Sequence, residues 1–545
     1  MRPLKFSSSV LALVIGLSGA LLLPSPTRAQ SVNPGSGDST DIKQETPLSL
    51  REAVRIAIDE SYSLQEARLD VRNADAQVLG AWGRVYPQIN ATGSYTRNIK
   101  TANPFAGSDV TGLFAGGGAP QWVTFNERAR TDDDPSTEPI TFQEFQERQR
   151  EGRQEAGITP GGGGNPFGVD NEFLGGITLR QTLYNAQAFS AIEGAQTLKD
   201  LNQKAIDRQR QVVVDEVRVA YYDALLAQRR VNVAKQSAER AQETYKEIAQ
   251  RVSTGTVPKS ERLGAKVELA NRRTELVQAR TSFRSALDGL KQTMGIEADA
   301  NVRLTTALDA EQRGQYADVS VDEAATRALE KRADLERARL NTELQEVRKN
   351  AEQGRYFPTV AAVANLNMSG RVPDDRTVTI TNPADPFDFD TRTNDFFQDS
   401  YWNPSLNVGL ELSWTIFDGF QRQSSIQQQE IAVRRAEVQA SQLRQSIRIQ
   451  VQRALRNLEA ARQRIQAQEA NLKTARTNYQ FAQKRLAQGV TTPLQVREAS
   501  RQLDQSRLNY LQAVHDYLAA KSAFETAVGQ PAGIPADEMF QSTNP

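Results

Sequence analysis

The chain has no cysteine and a single histidine, His515. That excludes thiol catalysis, cysteine-based zinc sites and any His-plus-Cys constellation, and few enzyme mechanisms remain easy to build. It also excludes lipid attachment through an N-terminal cysteine. Neither sign of charge is in surplus, with 66 Lys and Arg against 66 Asp and Glu. The basic residues are spread along helical stretches rather than gathered in a patch, so nucleic acid is not an expected partner. Beyond Leu23 no long apolar run occurs among the 545 residues, so a membrane-spanning helix in the mature chain is excluded and any membrane role must use β-strands. The apolar run that does exist, Val10 to Leu23, follows basic Arg2 and Lys5 and leads to Thr27-Arg28-Ala29. At 14 residues it is short for a span of about 20 and reads as a secretory signal peptide over 1–29. A flexible segment, 30–46, follows.

What is present is a duplication. "SLREA" at Ser49 matches "SVDEA" at Ser320, and "RVYPQI" at Arg84 matches "RYFPTV" at Arg355, both displaced by 271. "LRQTLYN" at Leu179 and "LSWTIFD" at Leu412 lie 233 apart, and from Val217/Val451 to Gly295/Gly529 the displacement is 234. The offset drops because the first copy carries 38 more residues between Pro87 and its "TLYN" segment. Two repeats, 47–295 and 321–530, are thus joined by 296–320 and followed by a tail, 531–545.

Each repeat has the same order of parts. In "PQINATGSYT", Ile89, Ala91, Gly93 and Tyr95 alternate with Gln88, Asn90, Thr92 and Ser94. The second copy answers with Val360, Ala362, Ala364 and Leu366, and "SLNVGLELSWTIF" places Leu406, Val408, Leu410, Leu412, Trp414 and Ile416 on one side. Period two is the signature of a strand, and the pattern predicts four, at about 87–97, 173–184, 358–369 and 405–417. On alternation alone an ordinary soluble sheet with one buried face fits as well as a membrane barrel; four strands cannot seal their own edges in lipid, and single-chain barrels begin at about eight, so a barrel would need several copies.

The remaining segments are helical. The expected helices span 48–82, 186–253 and 258–293 in the first repeat, and 321–356, 419–487 and 493–528 in the second. Val217, Ala220, Ala224, Ala227, Val231, Ala234, Ala238, Ala241, Tyr245, Ile248 and Val252 are separated by alternating threes and fours. Val451 to Leu486 repeats the register, with Gln468 as its one polar member. This is coiled-coil spacing, and about 67 residues at 1.5 Å rise make a rod of roughly 100 Å. Gly255 followed by Pro258, and Gly489 followed by Pro493, end each rod and start a returning helix, so each break reads as the tip of a helical hairpin.

Signal peptide, tandem copies, strands after "YP" and "FP", Ala-rich rods and Gly-Pro tips together resemble the TolC-like outer membrane efflux protein family over about Pro47 to Gln530. The resemblance implies a mainly α fold with a membrane β-barrel: two tandem α-β-β-α-α repeats, assembled as a homotrimer into a 12-stranded barrel and an α-helical periplasmic tunnel. In each repeat the helix before the strands would stack end to end with the helix after the tip. It implies the outer membrane channel of a tripartite efflux pump or type I secretion system, in contact with outer membrane lipid, with the tips docking to a periplasmic adaptor and an inner-membrane transporter. No enzyme activity and no cofactor is expected. A periplasmic or surface coiled-coil scaffold without a pore is the alternative reading.

By the same resemblance, Gly255, Pro258, Gly489 and Pro493 form the docking tip. Acidic residues six and nine positions after the second tip glycine commonly constrict the entrance of such ducts. Those positions are Gln495 and Glu498 here, and Glu261 and Gly264 in the first copy, so Glu261, Gln495 and Glu498 are the candidate gate residues. Where the family commonly has a basic residue two positions after that glycine, this chain has Thr491. A carboxylate in the first turn of a helix, stabilised by the dipole, is the plainer account of both glutamates. Two polar loops, 98–172 and 371–403, would lie outside the cell; Thr141 to Ala156 in the first predicts a short helix. Asp385, Asp388, Asp390 and Asp395 lack a calcium-loop spacing and read as a solvated surface.

Overall fold

The structure is a computed structural model that describes residues 46–100, 118–131, 138–158, 169–309, 316, 319–383 and 385–529. The expected signal peptide, nearly all of 30–46, the tail 531–545 and most of the Gly- and Pro-rich parts of the first loop lie outside the described residues.

Each repeat is built around one long rod. In the first, β1 (Thr46–Leu48), α1 (Leu50–Glu60) and α2 (Tyr62–Gly83) lead to strand β2 (Gln88–Arg97). After α3 (Gly118–Ala129) and α4 (Phe142–Glu155) come strand β3 (Asn171–Tyr184), the 68-residue α5 (Ala186–Ser253) and the returning α6 (Lys259–Met294). The second repeat opens with β4 (Val302–Leu304), α7 (Val321–Lys331), α8 (Ala333–Gly354) and strand β5 (Thr359–Val372). A hairpin, β6 (Thr377–Thr381) with β7 (Phe389–Thr393), precedes β8 (Trp402–Ser413), the 67-residue α9 (Gln421–Ala487) and α10 (Pro493–Ala527). Every position of the 3,4 seams on α5 and α9 is buried or half-buried, Gln468 included. Asn185 caps α5 by accepting from the Ala188 N–H, while Ser49 and Ser320 cap α1 and α7 in the same way at matching places of the two copies.

Packing makes an open strip. The four long strands form one antiparallel sheet in the order β2-β3-β5-β8. On the sheet side of the waist the helices lie side by side as α2-α5-α8-α9, and on the tip side as α9-α10-α5-α6. One margin of the strip is therefore β2, α2 and α6, and the other is β8 and α9. The main core sits at the waist, where Tyr221, Leu225, Leu290, Met294, Ile447, Val451, Ile465 and Val514 are buried. There β1 pairs in parallel with β4. The fully buried Tyr221 hydroxyl donates to the Leu48 carbonyl at 2.8 Å and ties that ribbon to the rod. Val302–Leu304 of the inter-repeat segment thus hold part of this waist, a pairing without a signal in three-residue strands.

Two expected helices are corrected. The segments 48–82 and 321–356 are each broken, at Ser61 (ψ 126°) and at Arg332 (ψ 119°), where one extended residue separates α1 from α2 and α7 from α8. The cause is tertiary. Gly295, at the end of α6, lies so close to the first break that a Cβ on it would stand 2.5 Å from the Glu60 carbonyl oxygen. Gly529, after α10, abuts Arg332 in the same manner. Each returning helix ends against its repeat's break, so α2 continues the line of α6, and α8 that of α10.

The strand limits also shift: β5 runs three residues further, to Val372, and β8 begins at Trp402 and ends at Ser413, leaving Trp414, Ile416 and Phe417 in the turn to α9. Nor are the two loops bare. Beside the expected helix α4, α3 is a second, held by Asn126, whose amide donates to the Ile140 carbonyl and whose carbonyl accepts the Ile140 N–H. Phe125 and the fully buried Phe145 pack on Phe387 of the hairpin turn at 5.2 Å, joining the first loop to the second.

Candidate functional site

The sheet has two chemically different faces. On one, cross-strand rows such as Ile89–Leu179, Ile177–Leu366–Leu406, Ala364–Val408 and Val360–Leu412 are apolar. On β8 these side chains are bare, Val408 at 77 % and Leu410 at 75 % exposure. So large an unbroken apolar surface on a monomer marks contact with another apolar phase. On the other face Asn90, Thr178, Asn365 and Asn407 form a polar row, with the Thr178 hydroxyl donating to Asn365 at 2.9 Å. Arg180 reaches across β5 to Glu411 with two hydrogen bonds, 2.5 and 3.0 Å.

Aromatic rings bracket the apolar rows. At the loop end the rings of Tyr95, Phe173 and Trp402 follow one another with tilted planes, at 4.9 and 5.5 Å. At the helix end lie Trp82 with Tyr86 at 6.1 Å, and Phe417 with Phe420 at 5.5 Å. Here too the Trp414 indole N–H donates to the Tyr356 carbonyl at 3.0 Å. A band of apolar side chains between two girdles of amphipathic rings is how strands match the two interfaces of a bilayer. No helix among the described residues is long and apolar enough to cross a membrane.

At the other extremity are the two tips. Gly255 (φ 72°) and Gly489 (φ 70°) take the left-handed conformation that ends a helix, with nothing within 4 Å of a notional Cβ. Pro258 is the N-cap of α6, and Pro493 the first residue of α10. The three candidate gate residues do not form one cluster. Glu261 meets Arg497 of the other hairpin at 3.4 Å, an ion pair whose angle falls short of a hydrogen bond. Glu498 pairs with Arg501 one turn on, at 2.7 Å, and stays exposed. Gln495 accepts from the Thr491 hydroxyl, within its own hairpin. Of the three candidate gate residues only Glu261 reaches the other hairpin, through Arg497, and a Cβ on Gly264 would stand 3.7 Å from that guanidinium. Sequence reasoning missed Arg497, because its partner is 236 residues away and nothing local marks it.

Behind this pair is a small open cleft between all four tip-side helices, lined by Arg240, Arg272, Arg497, Arg501, Glu268 and Tyr479 among others. The nearly buried Asp504 receives Arg240 from α5 and stands 3.8 Å from Arg507. Burial pushes the Arg507 guanidinium down from its ordinary value, assisted by Arg240 and opposed by Asp504. His515, further towards the waist, lies between Asp223 of α5 at 2.8 Å and Asp516 at 3.3 Å. Burial disfavours its charged form, but the two carboxylates outweigh that and raise its pKa. Tyr479 packs in the seam and lines the cleft, while the loop aspartates are engaged in turns: Asp385 accepts the Phe387 N–H and Asp390 the Thr391 N–H.

Comparison with known proteins places these features. A family profile described as outer membrane efflux protein matches residues 145–296 and 324–530. Among solved structures, CusC aligns over 91 % of this chain and 96 % of its own at 16 % identity, with a TM-score of 0.64. The Campylobacter jejuni CmeC outer membrane channel aligns over 90 % and 88 % at 14 % identity and TM-score 0.65. The outer membrane protein VceC of Vibrio cholerae aligns over 88 % and 96 % at 14 % and 0.63. No curated protein sequence matches.

Proposed function

Because this chain belongs to the outer membrane efflux protein family, we propose that three copies close into one passive export duct, with twelve strands in the outer membrane and the helices forming a periplasmic tunnel. Membership places the protein in the outer membrane and assigns it transport rather than bond chemistry. The observation that carries the closed duct is the open strip. β2 and β8 each leave a row of unpaired backbone groups along an apolar face, and strands in lipid must satisfy every such group. The same two margins continue down the helices, so one edge-to-edge contact, β8 and α9 against β2, α2 and α6 of the next copy, completes both parts. Three copies supply the twelve strands of a closed ring.

The lumen would then be lined by the polar face of the sheet, with its Asn, Thr, Ser and Gln side chains and the Arg180–Glu411 pair. The two loops would emerge outside, and the tips would point into the periplasm. There a periplasmic adaptor and an inner-membrane transporter would dock at Gly255, Pro258, Gly489 and Pro493 and supply the energy that the duct lacks. Glu261 and Arg497 are the ion pair between the hairpins that lies nearest the tips, and its release would loosen the entrance there while Arg240 and Asp504 hold the hairpins further up.

The test uses the absence of cysteine. Single cysteines placed at Thr92 on β2 and Ser405 on β8 should give a disulfide-linked dimer and trimer ladder in outer membrane fractions for pairs across the junction, at positions adjusted by two residues to find the register. Recovery of the protein in the soluble periplasm, or no cross-link at any register, would refute the duct.

A further inference from the structure

The tunnel helices carry a charge pattern that the neutral composition hides. α9 holds 13 Lys and Arg against 4 Glu and no Asp, a net of nine positive charges on one helix. The equivalent α5 holds 11 basic and 9 acidic residues. The balancing acids lie elsewhere: among the described residues of the loops 98–170 and 373–401, 14 are acidic and 8 basic. Charge is therefore segregated along the molecule, basic in the rods and acidic beyond the loop end of the sheet.

On α9 the surplus is exposed. Arg435, Arg444, Arg448, Arg453, Arg456 and Arg476 are all exposed, and none forms an ion pair with a described residue. Joining copies would not neutralise them. In the proposed duct, which this inference rests on, the tip-side half of α9 meets α6 of the next copy, and α6 itself carries 8 basic and 4 acidic residues. In the sheet-side half the neighbour is α2, with three acids and two arginines. The carboxylates at the tip are no counterweight, since Glu261 is held by Arg497, Glu498 by Arg501, and Asp504 by Arg240.

We infer that the duct is a conduit for anions: its tunnel wall concentrates carboxylate- or phosphate-bearing solutes and disfavours cationic ones. A tube with low-dielectric walls focuses the field of its lining, and the Debye length of about 8 Å at physiological salt, longer in dilute salt, lets that field act on solutes passing near the wall.

The full-length trimer in planar bilayers under a tenfold gradient of dilute KCl tests this. A reversal potential of the sign that reports chloride preference is expected, with a permeability ratio of several-fold over potassium, on the order of the lower range of field-driven enrichment. Glutamine at the six named arginines should bring the ratio towards or below one, and chloride preference that survives this change would overturn the assignment to α9. Potassium preference in the native duct, or no preference, would overturn the proposal while the conductance itself upholds the duct. No conductance in any trimer preparation would overturn the duct and this proposal together. Should the six-glutamine variant fail to assemble, the native sign decides alone. The same recordings in Arg497→Ala check that a shut tip does not set the sign.

Discussion

Replacing Arg497 by alanine should open the tip. The ion pair with Glu261 spans 3.4 Å, and its side chains are 17 % and 33 % exposed. At an effective dielectric constant of about 20, Coulomb attraction at that distance is roughly 5 kcal/mol. Desolvation of both groups and the rotamer freedom lost in holding two long chains offset most of it, leaving about 1 kcal/mol for a pair this accessible. Three such links in a threefold ring, breaking together, give about 3 kcal/mol, or two orders of magnitude in the ratio of open to closed tips. Single-channel recording measures that ratio directly. Arg497→Ala and Glu261→Ala should each raise the open fraction by roughly ten- to a hundredfold, because either change removes the same link. The exchanged pair, Arg497→Glu with Glu261→Arg, should return it towards the native value. Glu498→Ala should leave it unchanged, since Glu498 pairs within its own helix. Open fractions of both single variants within twofold of the native protein, or an exchanged pair as open as the singles, would refute the reasoning.

The glycines at the helix ends share a left-handed backbone but not their surroundings, so their alanine variants should rank. Gly255→Ala meets open space and should cost about 1–2 kcal/mol for conformation alone, whereas Gly295→Ala also drives a Cβ to 2.5 Å from the Glu60 oxygen and should lower the Tm clearly further. Arg218 and Glu525 form a buried pair at 2.9 Å, with the Tyr316 hydroxyl also donating to Glu525 at 3.0 Å. Arg218→Met alone should destabilise by about 3–5 kcal/mol in thermal unfolding, and adding Glu525→Leu should recover most of it. For His515 the folded pKa is raised, so its link to Asp223 contributes stability that is full below the unfolded value of about 6.5 and is lost as pH rises through the folded value. The Tm difference between the native protein and His515→Gln should accordingly be larger at acid than at alkaline pH, and a difference that grows with pH would reverse the assignment.

The chain's own pattern determined a good deal. Period two in 87–97 and 405–417 and the 3,4 seams of the rods are local regularities, and local regularity is what strand pleat and helix pitch impose on neighbouring residues. The duplication made each element visible twice, and Gly255 and Gly489 stood out because only a residue without a Cβ turns a helix end so cheaply. Membrane contact was not legible in the alternation alone, which a soluble sheet with one buried face shows equally; it was implied by the resemblance that the doubled order of parts carries.

What the tertiary structure decided depends on groups far apart in sequence. The breaks at Ser61 and Arg332 have helical sequence around them; they exist because Gly295 and Gly529 bring another helix end against them. The β1–β4 ribbon joins residues 256 apart through three-residue strands, too short for any period to register. Glu261 was visible as a carboxylate in a first turn, and so was Glu498, but which of them faces the other hairpin was set by how α5, α6, α9 and α10 pack side by side. The surplus on α9 was countable from the start, yet it acquired meaning only when the packing left α9 on a bare margin, because a charge acts on a partner or a solute only where the fold exposes it.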